Sequence, residues 1–222
     1  MFKSIIPFAL AATLSSYANA QLITPTDDPV IVKKSQSAIE EDSSEHKRMG
    51  KSYEVSLTPV AIGPIPGLNT GVNIATYLTR NAAVIFGYSL LVGGRSCWGA
   101  ISCSDKGYAF ELYYRQFFGN SFYVAGGLDQ RYVSSHGSDD FTGESYSFDG
   151  ETTAASVVIG NQWHWQRFVL GCDWFGLSVP ISSRVSNVKT RGSYGYDFED
   201  AKNALVTGTR PMALRVHVGM TF

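Results

Sequence analysis

The sequence predicts an all-β chain, an eight-stranded antiparallel transmembrane β-barrel, and three observations carry that expectation. The first is a period of two in the closing stretch. Met212, Leu214, Val216, Val218, Met220 and Phe222 are apolar, while Ala213, Arg215, His217, Gly219 and Thr221 between them are small, charged or polar. Successive strand side chains point to opposite faces, so such a segment has one face in an apolar medium and one in a polar medium. The second is that this alternation recurs along residues 51–222 in segments of roughly ten residues, separated by short turns and longer loops in alternation. The third is an export signature in residues 1–20. Lys3 precedes an apolar run from Ile5 to Leu14, and Ala18, Asn19 and Ala20 form a small-residue cleavage site. No stretch outside it reaches 18 consecutive apolar residues, so a membrane-spanning form of this chain must cross with strands.

Composition narrows the function classes. The chain holds 18 Lys and Arg against 19 Asp and Glu, a balance that gives no case for nucleic acid as a partner. Its 12 Tyr, 13 Phe and 22 Gly suit interfacial aromatic girdles and tight turns. Residues 21–50, with Pro25, Pro29 and the acidic run Glu40, Glu41 and Asp42, are too polar to bury and are expected to form a flexible or partly helical periplasmic leader.

The first strand is expected where Tyr53, Val55 and Leu57 alternate with Glu54, Ser56 and Thr58, ending at the turn Gly63, Pro64, Ile65, Pro66 and Gly67. The second covers about 68–79, with Val72, Ile74 and Leu78 opposed to Asn73, Ala75 and Tyr77, and turns at Arg80 and Asn81. The third covers about 82–92. The fourth places Tyr108, Phe110, Leu112 and Tyr114 outward and Ala109, Glu111, Tyr113 and Arg115 inward. In the fifth, Phe122, Val124, Leu128 and Tyr132 oppose Ala125, Gly127, Asp129 and Arg131, and a polar loop is expected over 134–152. The sixth sets Ala155, Val157, Ile159 and Trp163 against Ser156, Gly160 and Gln162. In the seventh, Phe168, Leu170, Cys172 and Trp174 face away from Asp173, while Val169, Phe175 and Leu177 blur the register. A second long loop is expected over 180–208, before the closing strand.

Across 51–222 the chain resembles the small eight-stranded Gram-negative outer-membrane proteins of the OmpA, OmpX and Opa type, without the peptidoglycan-binding domain of their two-domain members. The carriers are the strand pattern, the turn asymmetry and the row Leu214, Val216, Val218, Met220 and Phe222, which is similar to the terminal assembly signal of that group. The resemblance implies an outer-membrane location, contact with outer-membrane lipid and lipopolysaccharide, and recognition by the barrel-insertion machinery. It implies a structural or surface-recognition role carried by external loops 134–152 and 180–208, with narrow solute passage through the lumen as the alternative.

An eight-stranded barrel is only wide enough for side chains. The inward charges Glu54, Glu111, Arg115, Asp129, Arg131, Asp173 and Arg215 are therefore expected to pair into a network that fills the lumen. Cys97 and Cys103 flank a short segment, and in an exported chain they are expected to form a disulfide at a loop tip. Cys172 is expected to be a small apolar filler. His136 and Ser138, with Glu151 as an acidic partner, resemble the His-x-Ser pair of the lipid A 3-O-deacylases, but the wider motif of that family is absent and no enzyme activity is expected. Asp139, Asp140, Glu144, Asp149 and Glu151 lack a calcium-loop spacing and are expected to be a solvated acidic segment. No metal or cofactor is expected.

Overall fold

The computed structural model describes residues 43–65, 67–93, 101–139, 143–192 and 195–222. A short helix α1 (Ser44–Arg48) precedes eight strands: β1 (Tyr53–Ile62), β2 (Leu68–Thr79), β3 (Ala82–Gly93), β4 (Ile101–Phe118), β5 (Phe122–Asp139), β6 (Ser145–Trp165), β7 (Phe168–Arg191) and β8 (Arg210–Thr221). Each strand pairs antiparallel with the next, and β1 pairs with β8, so the sheet closes into a barrel. Closure extends to Phe222, whose N–H donates to Tyr53 O at 2.9 Å while its carbonyl accepts from Ser52 at 2.8 Å. No sheet edge is left along the closed part, which is the condition for putting strand backbone in lipid.

The alternation sorts as expected over most of the wall. Val55, Leu57, Ile74, Phe86, Leu112, Leu128, Val157 and Met220 point outward and are exposed, while Glu54, Asn73, Glu111, Asp129 and Gln162 point inward and are buried. This is an inside-out distribution, apolar outside and polar inside, and it is the pattern of a transmembrane barrel. Aromatic side chains ring both ends of the apolar band. Tyr53, Tyr114, Phe118, Phe122, Trp165 and Phe168 lie toward the end with the short turns. At the other end Tyr88, Phe110, Tyr108 and Tyr132 form a ladder, with ring centroids 5.2 Å apart for Tyr88 and Phe110 and 4.8 Å for Tyr108 and Tyr132.

Two features depart from the sequence reading. The segment expected as a long loop over 134–152 is mostly strand, and strand also takes the first part of that expected over 180–208, as far as Arg191. β4 and β5 have 18 residues each, β6 has 21 and β7 has 24, against 10 to 12 in the other four. Antiparallel pairing continues because it satisfies backbone groups in water as well as in lipid. Tyr146, Phe148, Gly150 and Thr152 are buried and alternate with Ser147, Asp149 and Glu151, so strand periodicity persists in polar sequence. The connection from β7 to β8 contains a helix α2 (Gly195–Lys202) and a π-helical turn (Asn203–Thr207).

The second departure is a shared change of phase. β8 does not keep one face throughout: Leu214 has φ 50°, and from Met212 back to Arg210 the parity reverses. Met212 is turned into the lumen, 3% exposed, rather than into the apolar row. β7 slips by the same single residue, at Trp174. The two strands therefore stay in register with each other, Asp173 opposite Arg215 and Phe175 opposite Ala213. β1 bulges alongside them at Pro59 and Val60, where both side chains face out and the missing proline N–H removes no ladder bond. This bulge seam explains the blurred register of β7: Val169 is inside below the slip, while Gly176 and Ser178 are inside above it.

Residues 1–42, with the expected signal peptide and most of the expected leader, lie outside the described residues; the described part of the leader includes α1, which packs on the barrel's short-turn end.

Candidate functional site

Among the described residues, charged side chains converge in the lumen, and all seven charges expected there line it. Arg215 on β8 donates to Glu111 Oε2 on β4 at 2.5 Å and to Asn73 Oδ1 at 3.0 Å, with its Nε 3.8 Å from Asp173 Oδ2. Glu111 also accepts from Ser89 Oγ at 2.6 Å, and Asp173 accepts from Tyr123. Nearer the short-turn end, Glu54 Oε2 accepts from Tyr77 at 2.5 Å and from Gln162 at 2.7 Å. Gln162 in turn accepts from Arg115, whose guanidinium lies 4.2 Å from the centroid of the Tyr123 ring. A third tier lies above the bulge seam. There Asp129 accepts from Arg131, from Ser156 and, at 3.0 Å, from Ser178.

Sequence periodicity located seven of the eight ionic members of these tiers and put most of their neutral linkers on the same faces. Asn73, Tyr77 and Gln162 sat on predicted inward faces, and their polarity was the available signal. Ser178 and Arg210 were out of reach, because each faces inward only through the bulge. With Arg210, four guanidinium groups face four carboxylates across these three tiers.

The lumen is filled. A cavity of about 20 Å³, bounded by Asn73, Tyr113, Asp173, Arg215 and His217, is room for a single water. Both ends are also stoppered. At the long-strand end Ile65, from the turn after β1, packs with Ala109, Val133, Tyr146, Phe148, Ala201, Leu205 and Val206 in an apolar cluster. Thr152 and Ser183 both donate to Val206 O, at 2.8 and 3.2 Å, which pins the π-helical turn to β6 and β7. Gly150 makes room for it, since a Cβ there would meet Val206 Cγ2 at 2.3 Å. At the other end Arg48 of α1 donates to the carbonyls of Arg80, Asn120 and Gly119, at 2.9, 2.7 and 3.2 Å, and stacks 4.0 Å over Phe117. One buried cation thus ties α1 to two of the short turns, and Ser44 Oγ reaches the end of β6, beside the third, by accepting from His164 N at 3.1 Å.

Other expected sites fare differently. Cys103 lies on β4 opposite Gly137, but Cys97 is outside the described residues, and so is their expected bridge. Cys172 is a free, buried thiol. His136 and Ser138 sit on β5 opposite Ser147 and Ser145, while Glu151 lies opposite Tyr132 and accepts from Gln130 at 2.8 Å. Four strand positions separate Ser147 from Glu151, about 13 Å at about 3.3 Å per residue, so the three groups do not form a triad. Asp149 accepts from Asn187 at 2.6 Å, Asp140 lies outside the described residues, and no group of three or more metal-ligating side chains occurs among those described. A groove of about 330 Å³ lies on the outer face at the tyrosine ladder, with Lys106, Tyr108, Tyr132, Ser134, Asp149 and Glu151 in its walls.

No family model matches the chain, and no curated protein does. Among solved structures it is similar to a major outer membrane protein from Thermus thermophilus, with a TM-score of 0.54 and 15% identity over 78% of this chain and 100% of that one. It is also similar to Ail, the attachment invasion locus protein of Yersinia pestis, with a TM-score of 0.46 and 16% identity over the same shares. The first likeness is one of fold: this chain is a small barrel of the outer-membrane type.

Proposed function

We propose that the protein is an outer-membrane barrel that works by recognition at a protruding sheet, and that its lumen is structural fill and not a route for solutes. The observation that carries this reading is the inequality of the strands. A tilted strand needs about 9–11 residues to span a bilayer, which β1, β2, β3 and β8 supply and β4 to β7 exceed, β7 by more than twofold. Four adjacent strands therefore continue past the apolar band as one sheet. That sheet carries the groove at the tyrosine ladder, and rigid scaffolds concentrate recognition at such projecting elements. Outer-membrane lipid and lipopolysaccharide meet the apolar wall and its girdle, and the row ending at Phe222 is offered to the insertion machinery.

Replacing residues 134–149, whose end residues are cross-strand partners, by a two-residue Asn-Gly turn shortens β5 and β6 without changing register. The expected result is a barrel that still inserts and migrates anomalously on unheated gels, while nanodiscs carrying it no longer adhere to intact cells that bind the full protein. Planar-bilayer recordings provide the opposing arm. Steady currents in the full protein that change with substitutions at Arg115 or Arg215 would overturn the reading in favour of passage.

A further inference from the structure

On the outer face of β4, β5 and β6 two grooves lie end to end along the barrel wall. The lower one, about 250 Å³, is walled by Phe86, Phe110, Leu112 and Leu128 within the apolar band and reaches Gln130 and Thr153 at its top. The upper one is the groove of about 330 Å³ at the tyrosine ladder. Strand register makes them continuous. Phe110, Gln130 and Thr153 form one cross-strand row, the next row outward is Tyr108, Tyr132 and Glu151, and the next is Lys106, Ser134 and Asp149. Apolar side chains thus give way to polar and charged ones over three rows, at the depth where an aromatic girdle marks the edge of the bilayer.

The upper rows carry charge that the protein leaves unmatched. Lys106 and Arg184, the cross-strand partner of Glu151 on β7, balance Asp149 and Glu151, yet among the described residues none of the four makes an ion pair. The carboxylates are held by amides instead: Asp149 accepts from Asn187 at 2.6 Å and Glu151 from Gln130 at 2.8 Å. Gln130 is fixed in turn by Thr153, which donates to it. A carboxylate has about four acceptor positions, so both retain room for a further donor.

We propose that the paired grooves bind one zwitterionic phospholipid of the phosphoethanolamine class, with an acyl chain in the lower groove, its phosphate at Lys106 and its ammonium at Asp149 and Glu151. Lys106 and Asp149 stand two strands apart in one row, about 10 Å between backbones at about 4.8 Å per strand. A phosphate and an ammonium joined by an ethylene linker bridge that separation with a hydrogen bond at each end. Asp149 and Glu151 lie on the same face of β6, about 7 Å apart along the strand, so the N–H groups of a primary ammonium can be shared between them. A quaternary ammonium has no N–H to give, and the Tyr108 and Tyr132 rings, stacked on each other at 4.8 Å, do not form the cage that would hold it. An anionic headgroup would bring a phosphate to Lys106 but leave both carboxylates without a donor. The site stands apart from the recognition proposed for the protruding sheet, since retained lipid and adhesion are separate measurements.

The test reconstitutes the full-length barrel into vesicles holding equal parts of phosphatidylethanolamine, phosphatidylglycerol, phosphatidylcholine and lipid A, releases it into mild detergent and identifies the retained lipid by native mass spectrometry. The expected result is one phosphatidylethanolamine per barrel, enriched at least about tenfold over each of the other three, since a hydrogen bond to a charged group is worth about tenfold or more in affinity. The double substitution Asp149→Asn with Glu151→Gln should abolish that preference while the barrel stays heat-modifiable. Equal retention of the four lipids, a preference for any of the other three, or an unchanged preference in the double variant would overturn the site. A water-soluble carbodiimide gives a second measurement on the unmodified barrel, because it joins the lipid amine to a carboxylate within reach. If the double variant does not fold, this coupling decides: lipid on Asp149 or Glu151 supports the site, and lipid only on other carboxylates, or on none, counts against it.

Discussion

Arg215 holds together three strands from one side chain, reaching Glu111 on β4, Asn73 on β2 and Asp173 on β7. Removing one partner from a buried charge pair costs roughly 3–5 kcal/mol, because the remaining charge stays in place without compensation. Arg215→Ala should therefore lower the unfolding free energy obtained from urea titration by an amount in that range, and an unchanged value would show that solvent reaches Glu111. Gly127 makes the same point about space. A Cβ at this position would lie 2.0 Å from Leu112 O and 2.8 Å from Tyr113 Cα, both backbone atoms that cannot yield without moving β4 away from β5. Gly127→Ala is expected to reduce the yield of heat-modifiable barrel sharply, whereas Gly126→Ala, where the nearest atom would be 3.8 Å away, should leave it close to normal.

The helix α1 has five residues and little stability of its own, so its place depends on what it touches. Arg48 supplies most of that, through three turn carbonyls and the Phe117 ring. Hydrogen bonds to a charged group are worth about 1.5–3 kcal/mol. Arg48→Ala should detach α1 and speed amide exchange in α1 and at the three short turns, while the middle of the strands keeps its protection. Uniform loss of protection along the barrel would mean that α1 is part of the global folding unit. The two ends are closed by different chemistry, a cation on carbonyls at one and apolar packing at the other, and so they should respond differently to salt.

At the scale of the whole molecule the barrel is a wall of constant thickness around a solid interior, extended on one side into a four-stranded sheet. The charges of its three interior tiers are matched four against four, and they connect strands through pairs such as Glu111 and Arg215 that are 104 residues apart in sequence. Shortening the sheet and probing conductance act on separate parts of this design, so binding loss and current separate recognition from passage. Cys103, on the extended part of β4, belongs to the same outer region. If Cys97 and Cys103 are bridged, thiol labelling of the exported protein should find both blocked until reduction, with Cys172 unreactive while folded. Free thiols at 97 and 103 in exported material would remove that bridge.

The sequence by itself determined which way most of the wall faces. Alternation is a property of the strand backbone, so Val55 against Glu54, Leu112 against Glu111 and Leu128 against Asp129 could each be placed without knowing any neighbour. It determined the short turns at Arg80 and Gly119 for the same local reason, Gly119 adopting φ 68°. What only the tertiary structure decided is everything set by a neighbouring strand. The slip at Trp174 is tolerated because β8 slips with it at Leu214, and no local pattern announces that agreement, so Met212, Ser178 and Arg210 were assigned to the wrong face or to none. The loop read from polar composition over 134–152, and that over 180–208 as far as Arg191, became mostly strand because a paired backbone is satisfied whatever its side chains face. Which carboxylate meets which arginine was decided by the closing of the barrel, which brings residues far apart in the chain across a lumen too narrow to leave a charge alone.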